Sequence, residues 1–346
     1  MGDRAGFGRV QLTNRTDPER PALEQEKRAR RRYDRIRGGV EDLELWLHDL
    51  VRGGLAEAAS RPWTSFEQMA ERLVDAQAPG LARLVRDLGG LPHRTSGAPR
   101  GAQRSVGWPE RMLIELGRLA LVLNAARQLD SLEPDLRAEV RTLIGIAEGR
   151  ADVLATEPIR DAWDVLGSRR IVGDRLSVQR TWLWGQRTAR WALLLDFSVA
   201  GQPFGQSPAP GARIEADLCF YSGTARLRAL IKEPPVLLGD VSSLPSQPID
   251  RVLRAFAEAL GRNPWQERIP AAVRDVVPHR AGAESWCAIG ADGTRLPLAG
   301  PTGWHLLALS GGHPLDVFGE WDGFSFWPLS AMVEGRLTSL RAPAAA

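Results

Sequence analysis

Along this chain the spacing of apolar side chains changes from three or four residues to two, and the change falls near residue 175. Such a chain cannot be one bundle or one sandwich, because helical material comes first and sheet second. Before the change, Leu43, Trp46, Leu47, Leu50, Val51 and Leu55 make one helical stripe, and Phe66, Met69, Leu73 and Val74 make a second. Leu81, Leu84, Val85 and Leu88 follow, then Met112, Leu113, Leu116, Leu119, Leu123 and Ala126. Pro109 and Pro134 suit first helical positions, where a missing N–H costs nothing. A short helix from Pro158 to Leu166 completes the set, and Gly38-Gly39 is expected to break or bend the first helix. Five or six antiparallel helices joined by short connections predict a helical domain over 39–170.

Beyond the change, Leu176, Val178, Trp182 and Trp184 alternate with polar neighbours, and Trp191, Leu193, Leu195 and Phe197 return across a Gly185-Gln186 turn. Two further runs, from Ile214 to Phe220 and from Ala225 to Ile231, complete a predicted four-strand antiparallel meander over 171–235. A linker over 236–280 carries one helix from Pro248, with Val252, Leu253, Phe256 and Leu260 inward. A second β-unit over 281–341 is expected, barrel-like in outline. Its strands are read at Trp286–Ile289, Arg295–Leu298, Trp304–Leu309, Val317–Trp321 and Phe324–Leu329, with hairpin signals at Asp292-Gly293 and Asp322-Gly323. The fold class is α+β: an N-terminal antiparallel helical domain followed by two small antiparallel β-units separated by a helix. No residue-by-residue repeat links the two β-units.

Composition narrows the function classes. The chain has 346 residues and only two cysteines, Cys219 and Cys287, so neither a disulfide scaffold nor a multi-cysteine metal site is available within it. No apolar run reaches membrane-spanning length and no signal peptide is visible, which implies a cytoplasmic protein with free thiols. The formal charge is only +3, but it is uneven: residues 1–40 hold eleven Arg or Lys against six Asp or Glu. Residues 1–38 read as a basic, disordered arm and a helix start whose removal should leave stability nearly unchanged. Its run of Lys27, Arg28, Arg30, Arg31, Arg32, Arg35 and Arg37 could meet phosphates or an acidic partner, or simply be a solvated helix face.

Linear motifs for nucleotide, nucleophile, zinc-protease or calcium chemistry are absent, and no catalytic residue, cofactor or metal site is read from the sequence. The five histidines lack ligand spacing. Glu215 and Asp217 share a strand face with Arg213, as a solvated face would. Asp196 follows an apolar run and calls for a partner such as Arg187 or Arg190. The strongest candidate is the stretch RTWLWGQRTARW, in which Arg180, Trp182, Trp184, Arg187 and Trp191 mix guanidinium groups with indole faces. That mixture can stack bases or bind a peptide. The same indoles can equally be core, with Arg180 lying over Trp182 as a structural pair.

Several segments resemble a known family. They are VDAQAPGLARLVRDL (74–88), WPERMLIELGRLALVL (108–123), LRAEVRTLIG (136–145), VQRTWLWGQRTARWALLLDFSVAGQPF (178–204), RLRALIKE (226–233) and GEWDGFSFWPLS (319–330). In this order they are similar to the C-terminal region of bacterial SWIM zinc-finger family proteins. The family's finger pairs Cys-x-Cys with Cys-x-His, and neither occurs here, so zinc binding does not carry over. The resemblance implies an accessory factor acting beside MoxR-type ATPases and von Willebrand A-like proteins. The leading expectation is therefore a non-catalytic protein-interaction module whose aromatic side chains hold the molecule together. Nucleic-acid binding through the arm and the Trp/Arg hairpin is the alternative, and an enzyme with a cleft between the helical and β parts is the third.

Overall fold

The computed structural model describes residues 19–92, 107–172, 176–199, 202, 204, 207–282 and 285–340. The expected arm lies outside them up to residue 18, and so does most of the polar loop, residues 93–106. Five helices form the N-terminal domain: α1 (Glu19–Ser60), α2 (Trp63–Asp75), α3 (Pro79–Gly90), α4 (Trp108–Arg127) and α5 (Pro134–Ile144). Proline occupies the first turn of α3, α4 and α5, where no backbone donor is lost. One core joins Leu43, Leu47 and Leu50 of α1 to Phe66, Met69 and Leu73 of α2, Leu81, Val85 and Leu88 of α3, and Met112, Leu116 and Leu119 of α4.

Two details of the first helix depart from expectation. Gly38-Gly39 does not interrupt α1; the kink falls at Gly54, whose φ of 80° is open to glycine. Gly39 serves packing instead, since a Cβ there would lie 2.7 Å from Cβ of Ala76. The stretch before residue 38 also packs on the bundle. Ile36 is buried in the bundle core, and Arg32 donates to the carbonyl of Gly145 (3.3 Å) at the end of α5. Deleting residues 1–38 is therefore expected to cost about 1.5–3 kcal/mol from Ile36 alone, whereas a cut before Glu19 leaves the described core whole. Thermal melts of the two truncations check this.

After the short helix α6 (Arg150–Leu154), the chain turns to sheet earlier than the pattern suggests. The segment expected as a helix from Pro158 to Leu166 lies in strand β1 (Ile159–Ile171). Residues 163–167 are buried in succession, so alternation is invisible and period cannot separate strand from helix. Strands β2 (Leu176–Gly185), β3 (Trp191–Val199), β4 (Ala212–Phe220), β5 (Arg228–Ile231) and β6 (Val236–Asp240) follow in the same sheet. Helix α7 (Ile249–Arg262) separates them from β7 (Ile269–Arg280), β8 (Trp286–Ile289), β9 (Arg295–Leu298), β10 (Leu315–Trp321), β11 (Phe326–Val333) and β12 (Arg336–Ser339). Helix α8 (Gly303–Ser310) replaces the strand expected at Trp304–Leu309; Gly311 ends it in the left-handed region at φ 58°.

The first sheet is not a meander. Its order is β1-β2-β3-β5-β4-β6, and β1 also pairs with β4, so five strands close on themselves. Strand β5 lies between β3 and β4 and runs parallel to β3. The second sheet repeats this connectivity. Strands β7-β8-β9-β11-β10 close through β10 on β7, with β9 and β11 parallel. Both units are five-stranded Greek-key barrels with one added strand, β6 on β4 and β12 on β11. Strand β7 lies where only a linker was expected, since Ile269–Val273 is buried throughout and Asp275 interrupts its register with a φ of 51°.

Trp163, Val165, Leu183, Ala192, Leu194, Ile214 and Leu218 fill the first barrel. The barrels dock through Leu166, Trp182 and Leu193 of the first and Ala272, Phe318 and Leu329 of the second. At Gly167, in the bulge of β1, a Cβ would meet Cβ of Leu329 at 2.8 Å and the Phe318 ring at 2.9 Å. Gly167→Val is expected to push the barrels apart at a cost of about 1–3 kcal/mol, read as a lower urea midpoint. No helix among the described residues is long and apolar enough to cross a membrane.

The bundle meets the β part at a polar junction. Glu139 of α5 meets the Asn263 side chain and Thr224 there. Burial pushes its carboxyl above the usual range, although these polar neighbours pull it down. A raised carboxyl favours folding most below its unfolded value of 4.5 and loses that contribution as pH rises. Glu139→Gln is therefore expected to raise the melting temperature relative to wild type more at pH 7 than at pH 4, as paired calorimetric scans would show.

Candidate functional site

The Trp/Arg hairpin is formed by β2 and β3. Asp161 of β1 holds its turn, accepting from the backbone of Arg187 (3.1 Å), the backbone of Thr188 (2.8 Å) and the Thr188 hydroxyl (2.6 Å). Burial opposes ionisation of Asp161, but these donors outweigh it and hold the carboxyl below its usual range. Arg187 is exposed at this turn and donates to the Arg160 carbonyl. The other four candidates lie on the outer face of the first barrel, and the second barrel packs against that face. Trp182 is fully buried, and its Nε1 donates to Glu320 of β10 at 2.8 Å. Arg180 donates to the same carboxylate at 2.8 Å and lies 5.7 Å from the Trp182 ring centre. Trp191 stacks on Phe318 at 5.6 Å and touches Trp184 at 4.7 Å; both indoles are half-buried.

Glu320 is the centre of this seam. Its side chain has no solvent exposure, and it also meets Arg268 at 3.2 Å and Arg169 at 3.5 Å. Burial alone would push the carboxyl up. The Arg180 charge, the Trp182 N–H and the Arg268 charge outweigh it and bring it down to about 2. Arg169 covers the face of Trp327 at 3.7 Å. The sequence reading named Arg180 and Trp182 but not Glu320, Arg169 or Arg268. A lone acid inside the apolar strand LDVFGEW was the available signal, because a buried carboxylate requires partners.

The basic run is a separate feature. Arg30 and Arg31 are exposed on α1, while Arg32 is half-buried and tied to α5. The side chain of Arg28 lies outside the described residues. Other candidates settle into ordinary pairs. Asp196 accepts from Ser207 rather than from Arg187 or Arg190, and Arg190 lies over the Phe220 ring at 4.9 Å. Arg213 forks onto the buried Asp164 at 2.6 and 3.1 Å, leaving Glu215 to Arg160 at 2.6 Å.

A cleft of about 250 Å³ opens where α3 and α4 face the second barrel. Leu88, Leu119, Val122, Trp265 and Phe324 supply apolar walls. The indole of Trp265 reaches into the bundle core and donates to the carbonyl of Arg118 at 3.0 Å. Ionisable side chains also gather here. Most neutralise one another: Arg118 pairs with Glu115 at 2.8 Å, and Arg83 bridges Asp87 at 3.6 Å and Glu267 at 3.8 Å. Burial raises the carboxyl of Glu115 against the pull of Arg118. Asp322 accepts from the backbone of Phe324 (2.9 Å) and Ser325 (2.7 Å) in the β10–β11 turn. Arg111 differs. Its guanidinium stands 5.4 Å from the Phe324 ring centre, and its Nε is buried with no hydrogen-bond partner among the described residues.

Comparison with known proteins adds a family for the helical part. Residues 31–144 match the family described as the SWIM-associated four-helix bundle domain, a span that runs from α1 to the end of α5. No curated protein and no solved structure matches the chain.

Proposed function

We propose that this chain, with its SWIM-associated four-helix bundle at residues 31–144, is a non-catalytic accessory module that acts by holding a protein partner. One observation carries the reading. The outer face of β1, β2 and β3 continues past the edge of the second barrel as an apolar surface. Ile171, Val178 and Phe197 form one cross-strand row on it, and Leu176 and Val199 form the next. Ile171 is 44% exposed, Leu176 47%, Phe197 51% and Val199 58%. The same face binds a barrel at one end through Trp182 and Leu193, and its uncovered end offers a partner the same kind of surface. Contiguous exposed apolar side chains of this kind mark protein contacts. A MoxR-type ATPase or a von Willebrand A-like protein, acting in the cytoplasm, is the partner the family resemblance favours. The basic run of α1 steers its approach.

The test uses a purified MoxR-type ATPase from the same bacterium and the full chain. Phe197→Glu places a charge on an exposed position, so folding stability should change by no more than about 0.5 kcal/mol. Binding measured by calorimetric titration should weaken at least tenfold. Absence of binding by the wild type rejects the ATPase as partner, and equal binding by the variant rejects this face. Nucleic-acid binding is left with the basic run, because the stacking indoles face the second barrel.

A further inference from the structure

We infer that the cleft between α3, α4 and the second barrel binds a small amphiphilic anion: an aromatic or branched apolar body carrying one carboxylate, sulfonate or similar acid group. This goes beyond the partner-binding reading and uses a different surface, so either can fail alone.

The argument begins with Arg111. Each of the other cleft arginines has an acidic partner: Arg83 holds Asp87 and Glu267, Arg118 holds Glu115, and Arg268 holds Glu320. Among the described residues Arg111 has no carboxylate and no hydrogen-bond acceptor; its one contact of note is the Phe324 ring. Two other arginines also leave a buried Nε without a partner, Arg32 and Arg137. Each of those ties its guanidinium to a backbone carbonyl instead: Arg32 to Gly145, and Arg137 to Asp130 and Leu132. The buried Nε of Arg111, left without an acceptor among the described residues, carries an unmet desolvation cost. A planar acid group is the ligand that its fork geometry fits.

The rest of the cleft supplies a place for an apolar body. Leu88, Leu119, Val122, Trp265 and Phe324 line it. A cleft of about 250 Å³ is near the lower end for small-molecule sites, which fits a compact ligand. Arg118 and Arg268 are matched by Glu115 and Glu320, Arg83 is shared by Asp87 and Glu267, and Asp322 meets backbone and Trp327 donors, so Arg111 is the cleft cation that an acid group can take up. A purely inorganic anion would leave the apolar walls bare, and a neutral hydrocarbon would leave Arg111 without an acceptor.

The probe for the test is 8-anilinonaphthalene-1-sulfonate, which carries a flat aromatic body and one sulfonate. Titrated into the full chain and followed by fluorescence, it should bind at one saturable site. Amide shifts in NMR spectra should centre on Arg111, Glu115 and Phe324. Arg111→Met should weaken the probe at least tenfold. The uncharged N-phenyl-1-naphthylamine should change by less than twofold. Ile114 lines the mouth of the cleft and is partly exposed, so Ile114→Asp gives a second variant that folding does not confound. It should weaken the anionic probe and spare the neutral one. The inference is overturned by non-saturable binding, by shifts centred elsewhere, or by Ile114→Asp binding the anion as wild type does. Displacement of the probe by inorganic phosphate at equal concentration would also overturn it, since that marks a simple anion site.

Discussion

Replacing Glu320 with glutamine should lower stability by about 3–5 kcal/mol, the usual cost of removing one partner from a buried ion pair. Glutamine can still accept from Trp182, but it leaves Arg169, Arg180 and Arg268 around an uncharged group in the seam. For a β part of this size the loss corresponds to a melting-temperature drop of about 10 °C. The wild type should show the same dependence in its acid limb. The folded carboxyl lies at about 2 against an ordinary 4.5. A depressed carboxyl contributes stability above its unfolded value, and that contribution disappears as pH falls through the folded one. About 3 kcal/mol should therefore be lost between pH 4.5 and pH 2, and Glu320→Gln should lack this part of the loss. Parallel acid titrations of the two proteins, followed by tryptophan fluorescence, would expose an error: identical acid limbs would mean that Glu320 is not ionised within the seam.

Trp182→Ala should be of similar size, about 3–5 kcal/mol, because a fully buried indole leaves a cavity and Glu320 loses its 2.8 Å donor. This substitution also separates two roles for the hairpin. Were Trp182 a stacking platform for bases, its loss would weaken binding of single-stranded nucleic acid and spare the fold. The packing around it predicts the reverse: a large fall in the denaturation midpoint, shared by the Phe318 side of the seam. A variant that melts like wild type would sink the structural assignment.

Much of the architecture was legible because it follows from local chemistry. The stripes of α1 to α5 place Leu43, Leu47, Phe66, Met69, Leu81, Val85, Met112 and Leu119 in one core, and prolines mark where three of the helices begin. A strand with one wet face, such as β4, announces itself by alternation. The failures share a cause. β1 and β7 are buried on both faces for much of their length, and α8 is apolar nearly all round, so none carries a period that separates strand from helix. Gly39 looked like a breaker because the sequence does not reveal that Ala76 lies against it.

The candidate site was legible only in part. Arg180, Trp182, Trp184 and Trp191 do come together, but the group that organises them, Glu320, is 138 residues away from Trp182 in the chain. Arg111 gave no signal at all, since an arginine on a helix is ordinary until its surroundings show that no described residue answers its charge.

By itself the sequence determined that helices precede sheets, where most of the elements begin, which side chains fill the bundle, and that the helical part resembles the SWIM-associated kind. Those properties depend on neighbours within a few residues, through periodicity, capping and turn chemistry. The tertiary structure alone decided that both β-units close into barrels of one connectivity, that one barrel covers the Trp/Arg face of the other, and that Arg111 stands in a cleft with no acidic partner among the described residues. These are facts about strands and charges brought together across a hundred residues or more, and side-chain spacing along the chain carries no record of such distances.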